Sequence, residues 1–264
     1  MAQSVEGVVA GIRTGYSDVA VWSGGSQAAD LDIWFLHAFA DTHEVFGNAF
    51  TAQFAQRARI LALDLPGHGE SPARPGGLTV EESAQVWRDA IVALSPSRRV
   101  VLVAHSMGSI IATETARLLE RLPDLVISVE GNLTLADAYF SGEAARFTEP
   151  KQFHDYFQRK ILELAASDKT LRRFSDNVRN ADAQTLWVLG RSVLAHRTPG
   201  SDFLRLKCPT VYYWDAASLG EEAKRFLLEH GLRHRSFDDQ GHWPMIKAPE
   251  SFYAAIEDDV HLWI

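Results

Sequence analysis

The stretch "RRVVLVAHSMGSIIATETARLL" (98–119) constrains this chain more than any other. Val100–Ala104 is an unbroken apolar run, the pattern of a strand buried on both faces. Within four residues the pattern becomes helical, so the chain must reverse over Ser106 itself. A turn that tight has no room for bulk two residues to either side, and Ala104 and Gly108 occupy those positions. It lifts the Ser106 hydroxyl above the sheet and aims a helix N-terminus, with the Met107 N–H, at any anion formed there. A strand, a sharp turn with a central serine and a helix form the context of a nucleophile elbow. The competing reading is an ordinary N-capping serine.

The flanking sequence repeats this alternation. "VEGVVAGI", "VAVWSG", "LDIWFLHAF" and "RILALDLPGHGES" are short apolar runs bounded by turn residues, and so predict strands. "TVEESAQVWRDAIVAL" opens with Thr79 and Glu82 at capping-box spacing and continues with helical periodicity. A helix from Met107, stopped by Pro123, leads to the strand "LVISVE". Strand–helix–strand alternation implies an α/β fold with a mostly parallel sheet. Residues 133–205 lack a strand pattern and are rich in aromatic residues, which predicts a helical insertion, a cap or lid, between a core of 1–132 and 206–264. The alternation resumes at "PTVYYWD".

Composition narrows the class. A chain of 264 residues can form one large α/β domain. Its net charge of −8 offers no basic field for nucleic acid or an anionic membrane. One cysteine, Cys208, precludes an internal disulfide framework and suits a reducing, cytoplasmic setting; beside Pro209 it reads as a small buried hydrophobe. "MAQSVEGVVAGIRTG" lacks the basic stretch and apolar core of a signal peptide, and no apolar run is long enough to span a bilayer.

Four stretches, in order, resemble the α/β-hydrolase fold superfamily, and its serine-nucleophile esterase and lactonase branch in particular. "FLHAFADT" (35–42) is similar to the family's oxyanion loop, although Ala38 stands where glycine is usual. The resemblance implies that the Phe39 N–H is the second oxyanion donor beside Met107. "LDLPGHGES" (63–71) resembles the turn after the fourth strand, with Gly67 and Gly69. "AHSMGS" is the elbow, with Ala104 replacing its first glycine. "DQGHWPMIKAPESF" (239–252) resembles the segment that carries the catalytic histidine, His242.

A serine hydroxyl is a poor nucleophile until a base takes its proton. Of ten histidines, His242 follows a glycine late in the chain, in the order nucleophile, acid, histidine. The acid is less regular. The resemblance puts it after the seventh strand, yet "WDAAS" has Asp215 where the family's glycine belongs and Ser218 where its acid belongs. Glu130, in "SVEGN" at the tip of the preceding strand, is the preferred acid; Asp215 and Asp137 are the alternatives. An acidic group at a buried strand tip is costly without a partner.

Candidate substrate contacts are His37, His105, Tyr139, Phe140, Tyr156, Trp187 and Trp243, with Phe147, Phe153, Phe157 and Phe174 as further aromatics whose simpler role is packing within the insertion. No Walker or dinucleotide loop and no zinc spacing occurs, so no metal or cofactor is expected. The expected activity is hydrolysis of a carboxylic ester or lactone of a small, largely apolar substrate, in a monomer or homodimer. Amide or C–C bond hydrolysis and lyase chemistry on the same triad, or a non-catalytic ligand receptor, are the alternatives.

Overall fold

The computed structural model describes residues 9–13 and 18–264; for 9–13 only the backbone is described. Among the described residues, eight strands form one sheet: β1 (Val9–Arg13), β2 (Asp18–Gly25), β3 (Leu31–Leu36), β4 (Arg59–Leu63), β5 (Arg99–His105), β6 (Leu125–Val129), β7 (Thr210–Asp215) and β8 (His234–Phe237). Their spatial order is β1-β2-β4-β3-β5-β6-β7-β8. β2 runs antiparallel to both β1 and β4, and every pair from β4 to β8 is parallel. The apolar runs become the central strands because helices cover both faces; every residue of β3 and β6 is buried. The first half of "VEGVVAGI" lies outside the described residues.

The helices are α1 (Val80–Leu94), α2 (Gly108–Leu118), α3 (Pro150–Ala165), α4 (Lys169–Asn180), α5 (Ala183–Val193), α6 (Pro199–Leu204), α7 (Glu221–Glu229), α8 (Pro244–Lys247) and α9 (Pro249–Trp263). α1 starts at the predicted capping box: Thr79 Oγ1 accepts from Glu82 N at 3.2 Å, and Glu82 Oε2 accepts from Thr79 N at 3.0 Å. α2 ends short of Pro123, because Leu119 is already extended. The chain there is drawn back beside β5, where Asp124 N donates to Val100 O and Asp124 Oδ2 accepts from Val100 N. Cys208 is half-buried rather than buried.

Between β6 and β7 the chain forms two 3₁₀ turns, Leu135–Asp137 and Ser141–Arg146, followed by α3–α6, with no strand. This insertion is moored to the core at several points. Asp182 N donates to Gly67 O, Val80 N to Ser192 Oγ, and Asn177 Nδ2 to Asp41 Oδ1. Phe153 and Phe157 stack on each other with no exposure, and both meet Phe39 of the core. They form the insertion's own core.

The order of the strands decides where a site can be. β4 and β5 lie on opposite sides of β3, so the loops leaving β3 and β5 diverge and open a crevice at their C-terminal ends. Ligands of open α/β sheets bind at such a switch point. Ser106 and Phe39 both lie there.

Candidate active site

Ser106 has φ +52°, a left-handed conformation that L-residues rarely adopt. The conformation costs about 1–2 kcal/mol and is held by the surrounding backbone. Ser106 N donates to Val129 O at 2.9 Å, and Ser106 O accepts from Ser109 N and Ser109 Oγ. The turn packs so closely on β3 that a Cβ on Gly108 would stand 2.6 Å from His37 O. Gly67 and Gly69, in the neighbouring turn, both have positive φ, as their sequence context suggested.

Phe39 and Met107 flank Ser106 around one cavity. Among the described residues, their backbone N–H groups donate to no acceptor, which leaves both available to a ligand oxygen. Met107 immediately precedes α2, where no intrahelical carbonyl is available and the positive end of the helix dipole points outward.

His242 lines the same cavity, after β8. It makes no direct hydrogen bond to Ser106 among the described residues, and catalytic hydrogen bonds of this kind often tighten only along the reaction. Its Nδ1 lies 3.4 Å from Glu130 Oε2. Glu130 also has a left-handed backbone, φ +49°, and its carboxylate is almost fully enclosed. Oε1 accepts from Asp215 N at 2.6 Å, and Oε2 accepts from the Ser218 hydroxyl at 2.7 Å. Ser218, where the resembled family keeps its acid, thus donates a hydrogen bond to Glu130 at the tip of the neighbouring β6.

Asp215 faces elsewhere. Its carboxylate accepts from the N–H groups of Ala217 at 2.7 Å, Gln240 at 2.5 Å and Gly241 at 3.0 Å. Burial pushes this carboxyl up, but those N–H groups and Lys247 outweigh burial and hold it below the usual carboxylate range. Asp215 therefore ties the tip of β7 to the loop carrying His242 without meeting the imidazole. Asp137 caps its own 3₁₀ turn by accepting from Leu133 N, Thr134 N and Thr134 Oγ1. Burial pushes its carboxyl up despite those bonds.

Of the candidate substrate contacts, Tyr139, Phe140 and Trp243 reach the cavity, as does Phe174. Four others do not. His37 is buried beneath the loop after β3, with Nδ1 on Ala38 O and Nε2 accepting from Leu65 N. His105 points under the histidine loop and donates from Nε2 to His242 O at 2.7 Å. Burial first, then His242, pushes the His105 pKa well down, so it stays neutral. Tyr156 donates to Glu143 and packs on Phe147, while Trp187 donates to Phe147 O under the Arg191 guanidinium. These side chains satisfy local polar groups of the insertion or the core. Asn132 and Ser141 line the cavity unforeseen, since a lone polar residue in a loop carries no periodic signal.

Over residues 35–255 the chain matches the Alpha/beta hydrolase family. A probable esterase, PIR7A, of Oryza sativa subsp. indica is 33% identical over 93 residues, 35% of this chain and 34% of that protein. The matched segment thus spans about a third of this curated relative. A thermophilic esterase from Thermogutta terrifontis superposes with TM-score 0.75 at 20% identity, covering 98% of each chain. An enol-lactonase from Burkholderia xenovorans LB400 gives TM-score 0.75 at 16% identity, covering 95% of this chain and 99% of the other. At such identities the superpositions speak to the fold, and the family match covers far more than half of the sequence. The chain belongs to the alpha/beta hydrolase family.

Proposed function

We propose that this protein is a serine hydrolase that cleaves a carboxylic ester or lactone of a small, largely apolar substrate through an acyl-enzyme. The observation that carries this reading is the left-handed Ser106, with φ +52°, in one cavity with His242 and two free backbone N–H groups. A capping serine needs no such strain. The apolar preference follows from Phe140, Phe174 and Trp243 around the serine. The esterase and lactonase named above share the fold, and the rice relative is a probable esterase, in keeping with this substrate class.

In the proposed cycle the Ser106 Oγ attacks the carbonyl carbon while His242 Nε2 takes its proton. The N–H groups of Phe39 and Met107 hold the oxyanion. Glu130 holds the Nδ1–H tautomer of His242 and stabilises the imidazolium. His242 then gives the proton to the leaving oxygen, which departs as an alcohol; in a lactone it stays tethered to the acyl group. Water, deprotonated by His242, releases the acid and restores Ser106.

The test is hydrolysis of short aryl esters and lactones by wild type and Ser106→Ala, with covalent labelling by a fluorophosphonate. Turnover and labelling that both vanish in Ser106→Ala support the reading. Unchanged turnover in that variant overturns it. Labelling without turnover of any ester or lactone directs attention to amides, C–C bonds or a receptor role.

A further inference from the structure

The cavity shared by Ser106, Phe39, Met107 and His242 is small, ≈ 20 Å³. That holds about one water. A second cavity, ≈ 230 Å³, lies on the far side of Tyr139, Asp137 and His242, with Glu130, Ser218 and Glu222 in its walls. Tyr139, Asp137 and His242 border both spaces and form the partition between them.

Two parts of the partition are fixed. Asp137 is held by three hydrogen bonds within its turn, and His242 by Glu130 on one side and His105 beneath. Tyr139 is not. It sits on a turn, is 46% exposed, and its hydroxyl makes no hydrogen bond among the described residues. Ring contacts alone place it, with centroids 4.6 Å from Phe140 and 5.9 Å from His242. Such contacts are each worth about 1 kcal/mol, and exposed side chains change rotamer within nanoseconds. Tyr139 can therefore swing out while the other two stay.

The direction of the opening decides what would enter. His242, as general acid, must reach the leaving oxygen, so the leaving group lies on the His242 side of Ser106, away from Phe39 and Met107. The second cavity is walled by His242 and Tyr139, with the carboxylates of Asp137, Glu221 and Glu222 around it, Glu130 paired with His242 and Lys224 with Glu221. The apolar side chains Phe140, Phe174 and Trp243 line the cavity around the serine, where the acyl group sits.

We propose that Tyr139 is the gate to a leaving-group subsite, and that the subsite takes neutral or cationic alcohols in preference to anionic ones. This rests on the serine-hydrolase reading of the same site. Tyr139 is then the residue that determines leaving-group size, independently of acyl-chain length.

The experiment compares wild type, Tyr139→Ala and Tyr139→Phe on acetate esters. The alcohols are methanol, a bulky neutral alcohol, and isosteric quaternary-ammonium and carboxylate alcohols; a methyl ester series varies the acyl chain. In Tyr139→Ala the ratio of kcat/KM for bulky over methyl leaving groups rises about 10-fold or more, the scale of removing a pocket obstruction. The acyl-chain preference keeps its order, the ammonium ester outpaces the carboxylate ester, and Tyr139→Phe retains wild-type discrimination. An unchanged leaving-group ratio, or a shift confined to the acyl series, overturns the gate. Equal rates for the two charged esters overturn the charge preference. Fluorophosphonate labelling of Ser106 in the same samples separates the two levels: labelling with a flat Tyr139 panel sinks the gate alone, and no labelling sinks the parent reading with it.

Discussion

Glu130→Gln tests which carboxylate serves His242. Glutamine keeps the size and the strained backbone position but removes the charge 3.4 Å from Nδ1. At that separation and an effective dielectric of about 20, a carboxylate stabilises an imidazolium by about 5 kcal/mol. This is a ceiling, corresponding to roughly 10³–10⁴ in kcat, because all of it acts once the imidazole is charged. The amide must also face either the Asp215 N–H or the Ser218 hydroxyl with its NH₂, adding a stability loss of about 1–2 kcal/mol. Asp215→Asn should behave in the opposite way. It weakens the clamp on the Ala217, Gln240 and Gly241 N–H groups, charge-assisted bonds of about 1.5–3 kcal/mol each. Its main effect is then a lower unfolding free energy, with kcat reduced by less than about 10-fold in the folded enzyme. The assay is burst and steady-state kinetics on a p-nitrophenyl ester, beside urea melts of each variant. A folded Asp215→Asn enzyme that has lost turnover, beside an active Glu130→Gln enzyme, would refute the assignment.

Stability should decline in mild acid because the fold holds several histidines neutral. The His68 pKa is lowered from 6.5 to about 3, by burial first and His37 next, and His37 and His105 shift the same way with burial leading. The unfolded chain takes up these protons below pH 6.5, whereas the folded chain protonates His68 only near pH 3, so stability falls as pH drops below 6.5 and is level above it. His68 alone accounts for about 2 kcal/mol by pH 5. Thermal melts from pH 7.5 to 5 check this; a flat Tm, or a slope unchanged in His68→Gln, contradicts it. Gly108→Ala should cost both activity and stability, because its Cβ would stand 2.6 Å from His37 O and 3.0 Å from Leu36 O, both backbone atoms of the oxyanion loop's root. A loss of about 1–3 kcal/mol with at least about 10-fold lower kcat is expected; wild-type melts and rates would show that the elbow tolerates a side chain.

The fold class, the sharp turn at Ser106 and the histidine's place in chain order were legible in the amino-acid sequence. These rest on local physics: periodicity separates strand from helix, and a tight turn admits only small neighbours. The capping box at Thr79, the turn glycines Gly67 and Gly69 and the small Ala104 and Gly108 are all of this kind. What depended on the assembled sheet was which residues meet. "WDAAS" and "SVEGN" each offered a carboxylate; strand-tip position and the family's spacing favoured Glu130, but neither stretch shows what either carboxylate touches. The register of β6 against β7 brings Ser218 and the Asp215 N–H onto Glu130, and the loop after β8 then turns the Asp215 carboxylate to its own backbone. Likewise His37, His105, Tyr156 and Trp187 had the chemistry of ligand contacts, but packing turned each to a nearby polar group. The partition at Tyr139 was equally invisible, since it exists only where a turn of the insertion lies across the tips of β6 and β7. Side-chain direction at a strand tip is set by tertiary neighbours far away in sequence, which is why ten residues sufficed for the elbow while the surroundings of Glu130 and Asp215 appear only in the assembled sheet.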